Sequence, residues 1–284
     1  MARLIALIDG STYSRSVCDH AAWIAQRLDT GVDLLHVLGR RGTSSAPVDL
    51  SGNLDANGRE GLLAELASLD EQKAKLALKR GRMILDDARA RMIEDGVADV
   101  GGMLRHGDII EAVQEFEAGA ELIVIGKRGE AADFARMHLG SNLERVVRAS
   151  HKPVFVASRA FAPISRFLIA FDGGTSAMKA VDHVAASALF AGLACRLLMV
   201  GAGNDEQHRK LEDAATVLRG GGLTVDAAIV PGQADAVITH EVETGAIGLV
   251  VMGAYGHSRI RSLIIGSTTS EMIRSCLVPV MLFR

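Results

Sequence analysis

At 284 residues, with 49% hydrophobic and 23% charged side chains, the chain is long enough for two domains of ordinary globular composition. A formal net charge of −3 and an isoelectric point near 6.3 leave no electrostatic footprint for nucleic acid or for an anionic membrane. The opening MARLIALIDGS meets Asp9 too soon for a signal peptide, and the most apolar run, 184–200, is cut by Arg196, so a soluble protein is expected. Cys18, Cys195 and Cys276 are far apart in apolar patterns, which favours reduced, buried thiols and a cytoplasmic location.

In chain order, LIALI from Leu4 reads as a short buried strand, followed by Asp9, Gly10, several hydroxyl residues and a helix. VDLLHVL from Val32 is a second strand. Residues 41–61 are rich in Gly, Ser, Asn and Pro and read as a loop. Residues 62–94, dense in Ala, Leu, Lys and Glu, read as an amphipathic helix covering the sheet with a solvated charged face; a partner-binding surface is the alternative. His36 and His106 end the second and third strands and could approach Asp9, so a metal site of two histidines and a carboxylate stands against histidines that merely border a polar cleft. ELIVIGKRG from Glu121 is a fourth strand ending in glycines, and residues 153–157 form a fifth.

The same series then repeats. LIAFDGGTSAMKAV from Leu168 answers the opening strand and turn, CRLLMVG from Cys195 answers the second strand, and the last 37 residues, from Gly248, answer the stretch from Glu121. Asp9 and Asp172 stand 163 residues apart and Gly140 and Gly266 only 126, so the first half carries about 37 additional residues. The halves meet at 160–165, where Pro163 breaks any continuing element. The expected organisation is therefore one domain over 1–160, with an insertion at about 39–75, and a second over 166–284. Alternating strands and helices predict an α/β protein, two tandem doubly wound parallel sheets of five strands, with ligands bound outside the carboxyl ends of the strands. The fifth strands, short and apolar, are expected to pair across the two halves, and two chains could associate further.

At the fourth strand of the second half, an apolar run at 248–252 leads into Gly253, Gly256 and Gly266. Thr269, Met272, Ile273 and Cys276 then fall at helical spacing, which puts Ser267 and Thr268 where N-cap hydroxyls belong. Unpaired amides at such a helix start, with the positive end of its dipole behind them, form a ready anion site. No G-x4-G-K-[ST] is present, so no P-loop lysine is available, and Arg259 or Arg261 could add charge. Asp9 and Asp172 read either as turn residues capping the next helix or as ligand contacts.

These residues resemble the universal stress protein family, in its tandem form, over nearly the whole chain. Members are known for a G-x2-G-x9-G-[ST] loop that binds ATP in many cases, with an Asp after the first strand contacting the nucleotide. Gly253, Gly256, Gly266 and Ser267 keep that spacing, with Asp172 in place. The resemblance implies a Rossmann-like strand order 3-2-1-4-5, main-chain contact near Val200 with the adenine edge, and ATP, with Mg2+ as its companion ion. The equivalent first-half set is Asp9, Val37, Gly126, Gly129, Gly140 and Ser141, but ten residues separate Gly129 from Gly140, and Lys127-Arg128 replaces Ala254-Tyr255. One added residue moves a loop by up to ~3.5 Å, too far for a hydrogen bond to survive. One ATP per chain, in the second half, is the expectation. Lys127 and Arg128 would either supply charge to a first-half ligand or be a solvated loop. The functions implied are a cytoplasmic nucleotide-responsive stress regulator, a slow ATPase working through the same site, or a module holding another small ligand in its first half.

Overall fold

The computed structural model describes residues 2–39, 56–128, 141–254 and 267–284, with the backbone alone at 56–60 and 141. The first series of elements is β1 (Arg3–Leu7), α1 (Thr12–Leu28), β2 (Val32–Leu38), α2 (Ala56–Glu94), β3 (Val100–His106), α3 (Ile109–Glu117), β4 (Ala120–Gly126), α4 (Ser141–Ala149) and β5 (Val154–Ala157). The second is β6 (Arg166–Ala170), α5 (Thr175–Ala186), β7 (Ala194–Val200), α6 (Asp205–Gly220), β8 (Thr224–Val230), α7 (Ala234–Thr244), β9 (Leu249–Gly253), α8 (Ser267–Ser275) and β10 (Val280–Phe283), with a 3-10 turn at Ala188–Phe190. All four residues of β5 and of β10 are buried, as are Leu4 to Leu7 of β1, because strands covered on both faces need continuous apolar runs.

The strands form one sheet in the order β3-β2-β1-β4-β5-β10-β9-β6-β7-β8. Each series has the order 3-2-1-4-5, and pairing is parallel within it. The series join where β5 and β10 run antiparallel, with Phe155 opposite Met281 and Val154 opposite Leu282. Arg27 Nε of α1 also donates to the Leu189 carbonyl at 2.6 Å, and Arg284 Nη1 donates to the Arg148 carbonyl at the end of α4 at 2.7 Å.

Alternate strand residues feed two cores, one per face of the sheet. Leu4, Val124, Phe155, Ile169, Val251 and Met281 pack with Ile24 of α1, Met92 of α2, Val181 of α5 and Leu218 of α6. Ile5, Ile123, Val154, Val250, Val280 and Leu282 pack with Val113 of α3, Val146 of α4, Ile238 of α7 and Ile273 of α8. Each such side chain, fully buried, stabilises the fold by about 1.5–3 kcal/mol. Burial also pushes the Cys18 and Cys195 thiols up to about 12; all three cysteines are buried and free. Among the described residues no helix is long and apolar enough to cross a membrane.

Helix α2 departs from the expectation in two ways. It begins at Ala56, inside the stretch read as loop, because once the Ala- and Leu-rich run downstream has nucleated, each added turn is inexpensive even through Gly58 and Gly61. It also covers the sheet only from Gly81 onward. A Cβ on Gly81 would lie 2.8 Å from Leu104 Cδ1 and 3.0 Å from His36 Cδ2, so glycine lets the helix meet the sheet there. Gly81, Leu85, Ala88 and Met92 are buried, whereas no residue from 61 to 80 is.

Candidate functional site

The strand order reverses between β1 and β4 in the first series and between β6 and β9 in the second, opening a crevice at the carboxyl edge of each. In the second crevice, β6 ends at Ala170 and the chain turns through Asp172 and Gly173, the latter at φ +73°, a backbone angle that favours glycine. Asp172 is exposed, and its Oδ1 accepts from the Gly174 amide at 2.8 Å, fixing the turn that starts α5. The Lys210 stem of α6 lies over Gly173, 3.1 Å from where a Cβ would stand, while Lys210 Nζ pairs with Glu206 at 2.7 Å.

Val200 closes β7. The Phe171 amide donates to the Leu198 carbonyl at 2.9 Å, and the two-residue period turns the Val200 carbonyl to the same side, past the last residue of β6. The loop beyond is held by a reciprocal cap: Gln207 Oε1 accepts from the Gly203 amide at 2.9 Å, and Asn204 Oδ1 accepts from the Gln207 amide at 2.9 Å. Main chain at this edge is thus held in place from both sides.

Gly253 ends β9 against α5. A Cβ there would come within 2.9 Å of Ser176 Cβ and 3.3 Å of the Ala177 nitrogen. Gly126 repeats the arrangement in the first half, where a Cβ would lie 2.9 Å from Tyr13 Cβ of α1. The first glycine of each loop therefore lets the fourth strand close on the first turn of the opposite helix. Thr269 Oγ1 donates to the Gly253 carbonyl at 3.1 Å, tying the start of α8 to the end of β9. Ser267, exposed, and Thr268, half-buried, are the first and second residues of α8, so neither is the N-cap that the spacing predicts. Gly256, Gly266, Arg259 and Arg261, like Gly129 and Gly140, lie outside the described residues. Ser141 is the first residue of α4.

The first crevice is built differently. Asp9 Oδ1 accepts from the Ser11 amide at 2.9 Å and from Ser14 Oγ at 3.2 Å, and Ser14 Oγ in turn accepts from the Gly10 amide at 2.9 Å. Gly10 is exposed on one side and faces Ile84 of α2 on the other, whose Cδ1 lies 2.7 Å from where a Cβ would stand. Val37 is half-buried near the end of β2. His36 is buried, and its Nδ1–H donates to the Ile8 carbonyl at 2.6 Å, whereas His106 is exposed at the end of β3. Among the described residues no three His, Cys, Asp or Glu side chains gather as metal ligands. Lys127 is neither a solvated residue nor a charge offered to the crevice: it is buried, its Nζ donates to the Cys276 carbonyl just past α8, and burial lowers its pKa.

Reasoning from sequence missed Lys210, the bond from Thr269 to Gly253 and the destination of Lys127. The Asn204-x-x-Gln207 cap was open to view as a helix-start pattern; the other three are tertiary contacts with no local signature.

The Universal stress protein family model matches residues 1–158 and 199–284. The chain belongs to the universal stress protein family. The universal stress protein Slr1230 of Synechocystis is 34% identical over 287 residues, covering all of both chains. The universal stress protein MJ0531 of Methanocaldococcus jannaschii is 28% identical over 166 residues, 55% of this chain and 82% of that one. Among solved structures, a universal stress protein from Archaeoglobus fulgidus superposes with a TM-score of 0.73 at 18% identity, over 100% of this chain and 96% of the other, a likeness of fold. Asp172 falls between the two family-matched segments, so its assignment rests on the turn geometry and the internal repeat.

Proposed function

We propose that the chain is a cytoplasmic, nucleotide-responsive stress regulator that takes up one ATP per chain in its second half, the domain over 166–284. The observation that carries this reading is the difference between two equivalent turns. Asp172 presents an exposed carboxylate beside a lysine stem, while the Asp9 carboxylate is half-buried and accepts from both the Ser11 amide and Ser14 Oγ. The spacing of Gly253, Gly256, Gly266 and Ser267 supports the same half.

In this reading Asp172 accepts hydrogen bonds from the nucleotide, the main chain at Val200 meets the adenine edge, and the Gly256–Gly266 loop with Ser267 and Thr268 holds the phosphates. Micromolar binding needs roughly 8 kcal/mol, and a charge-assisted hydrogen bond contributes about 1.5–3 kcal/mol, so several donors must act together. The sequence has no G-x4-G-K-[ST] lysine for the β- and γ-phosphates, which favours binding over turnover. Multiple-turnover phosphate release by the pure protein separates the regulator from a slow ATPase.

Calorimetric titration with ATP tests the proposal through Gly256→Val and Gly266→Val. Both variants should lose binding and keep the wild-type unfolding midpoint, since their side chains would fill the space of a phosphate or forbid the backbone angle. Affinity within about threefold of wild type for both would overturn the assignment.

A further inference from the structure

Helix α2 runs antiparallel to its neighbouring strands and touches the carboxyl ends of β2 and β3 at Gly81, beside His36 and Leu104. Residues 56–80 therefore extend beyond the sheet, for about 37 Å at 1.5 Å per residue. On this projecting segment and just past it, Leu63 and Leu69 are 50% exposed, Leu76 66% and Met83 56%. Positions 62, 66, 69, 73, 76, 80 and 83 follow one another at alternating steps of four and three, the spacing of a helix–helix seam, and five of the seven are Leu or Met. Past Arg59 and Glu60 the charges on or beside this seam are divided, Glu65 and Asp70 preceding Lys73, Lys79 and Arg80, while Glu71, Lys75 and Arg82 lie on the far side of the helix.

We infer that the projecting part of α2 pairs antiparallel with the same helix of a second copy. Two-fold symmetry sets Glu65 and Asp70 of each copy beside Lys73, Lys79 and Arg80 of the other, so every attraction occurs twice, whereas a parallel pair would set like against like. Leu69 and Leu76, exposed in one copy, then lose their contact with water beside the half-buried Leu62 and Leu66. The exposed pair within one copy, Lys73 with Asp70 at 3.8 Å, holds little and can exchange for partner contacts. An anionic lipid surface fits less well, because the acidic block lies among the same leucines that would have to enter it.

Sedimentation velocity of the full chain from about 1 to about 100 μM tests the pairing, because a dimer held this way dissociates by mass action. The wild type should sediment as a dimer at the upper end. Leu69→Glu with Leu76→Glu should sediment as a monomer and, at about 1 μM where the wild type has dissociated, keep the wild-type unfolding midpoint, since the buried part of α2 begins at Gly81. A variant carrying Glu65→Lys and Asp70→Lys, and one carrying Lys73→Glu, Lys79→Glu and Arg80→Glu, should each be monomeric alone and form a mixed dimer when combined. A wild type that is monomeric throughout, a dimer that survives the leucine changes, or charge variants that do not combine would each overturn the inference. So would a monomer that floats with anionic lipid vesicles through Leu76.

Discussion

Leu282 is 2% exposed in β10, opposite Val154 of β5, where the two series of strands meet. Leu282→Ala removes its contacts and leaves a partly collapsed void, a loss of about 2–5 kcal/mol. Leu282→Asp adds a carboxyl that burial keeps neutral. Holding it protonated at pH 7, about three units above its unfolded pKa, costs a further 4 kcal/mol or so. Its folded pKa is raised, so this extra loss is present above the unfolded pKa near 4 and shrinks as the pH falls, to about 1.5 kcal/mol at pH 5. The total at pH 7 is comparable with the whole stability of an ordinary domain, about 5–15 kcal/mol. Trp23, the single tryptophan, sits on α1 with its ring 6.5 Å from Phe161, so its fluorescence reports the first series while circular dichroism reports both. In urea titrations of Leu282→Ala, the two signals should move together to lower denaturant. A Trp23 transition that stays at the wild-type midpoint while circular dichroism falls early would show that the β5–β10 contact does not couple the series.

Gly253→Ala should destabilise the protein by about 1–3 kcal/mol in thermal unfolding, because the added Cβ presses on Ser176 and the Ala177 nitrogen, and Ser176→Gly should restore part of the loss; unchanged stability would remove the packing role assigned to this glycine. His20 is buried between Phe155 and Phe161, and burial lowers its pKa. Its contribution is therefore complete above the unfolded value near 6.5 and is lost as the pH falls below it, by up to about 1.4 kcal/mol at pH 5.5. His20→Phe should lose less stability than the wild type between pH 7.5 and 5.5, and equal losses would contradict this.

The repeat and the ten strands were legible because each is a local pattern: an apolar run of strand length, an Asp-Gly turn, a helix start. Strand order came with the family resemblance, since nothing in β1 itself says that β4 rather than β3 will lie beside it. What stayed hidden depends on contacts between distant residues. Composition marks α2 as one amphipathic helix, yet only Gly81, set against His36 and Leu104, decides where covering the sheet stops. Lys127 reads as a loop cation until the Cys276 carbonyl, 149 residues away, is brought to it. Gly253 reads as a ligand glycine, and its close approach to Ser176 is visible only in the packed fold.

The central claim, one nucleotide in the second half, is tested most directly by calorimetric titration of ATP into the wild type, Asp172→Ala and Asp9→Ala. The account predicts close to one site per chain, weakened by Asp172→Ala and unaffected by Asp9→Ala. Two equal sites, or a loss on Asp9→Ala alone, would contradict it.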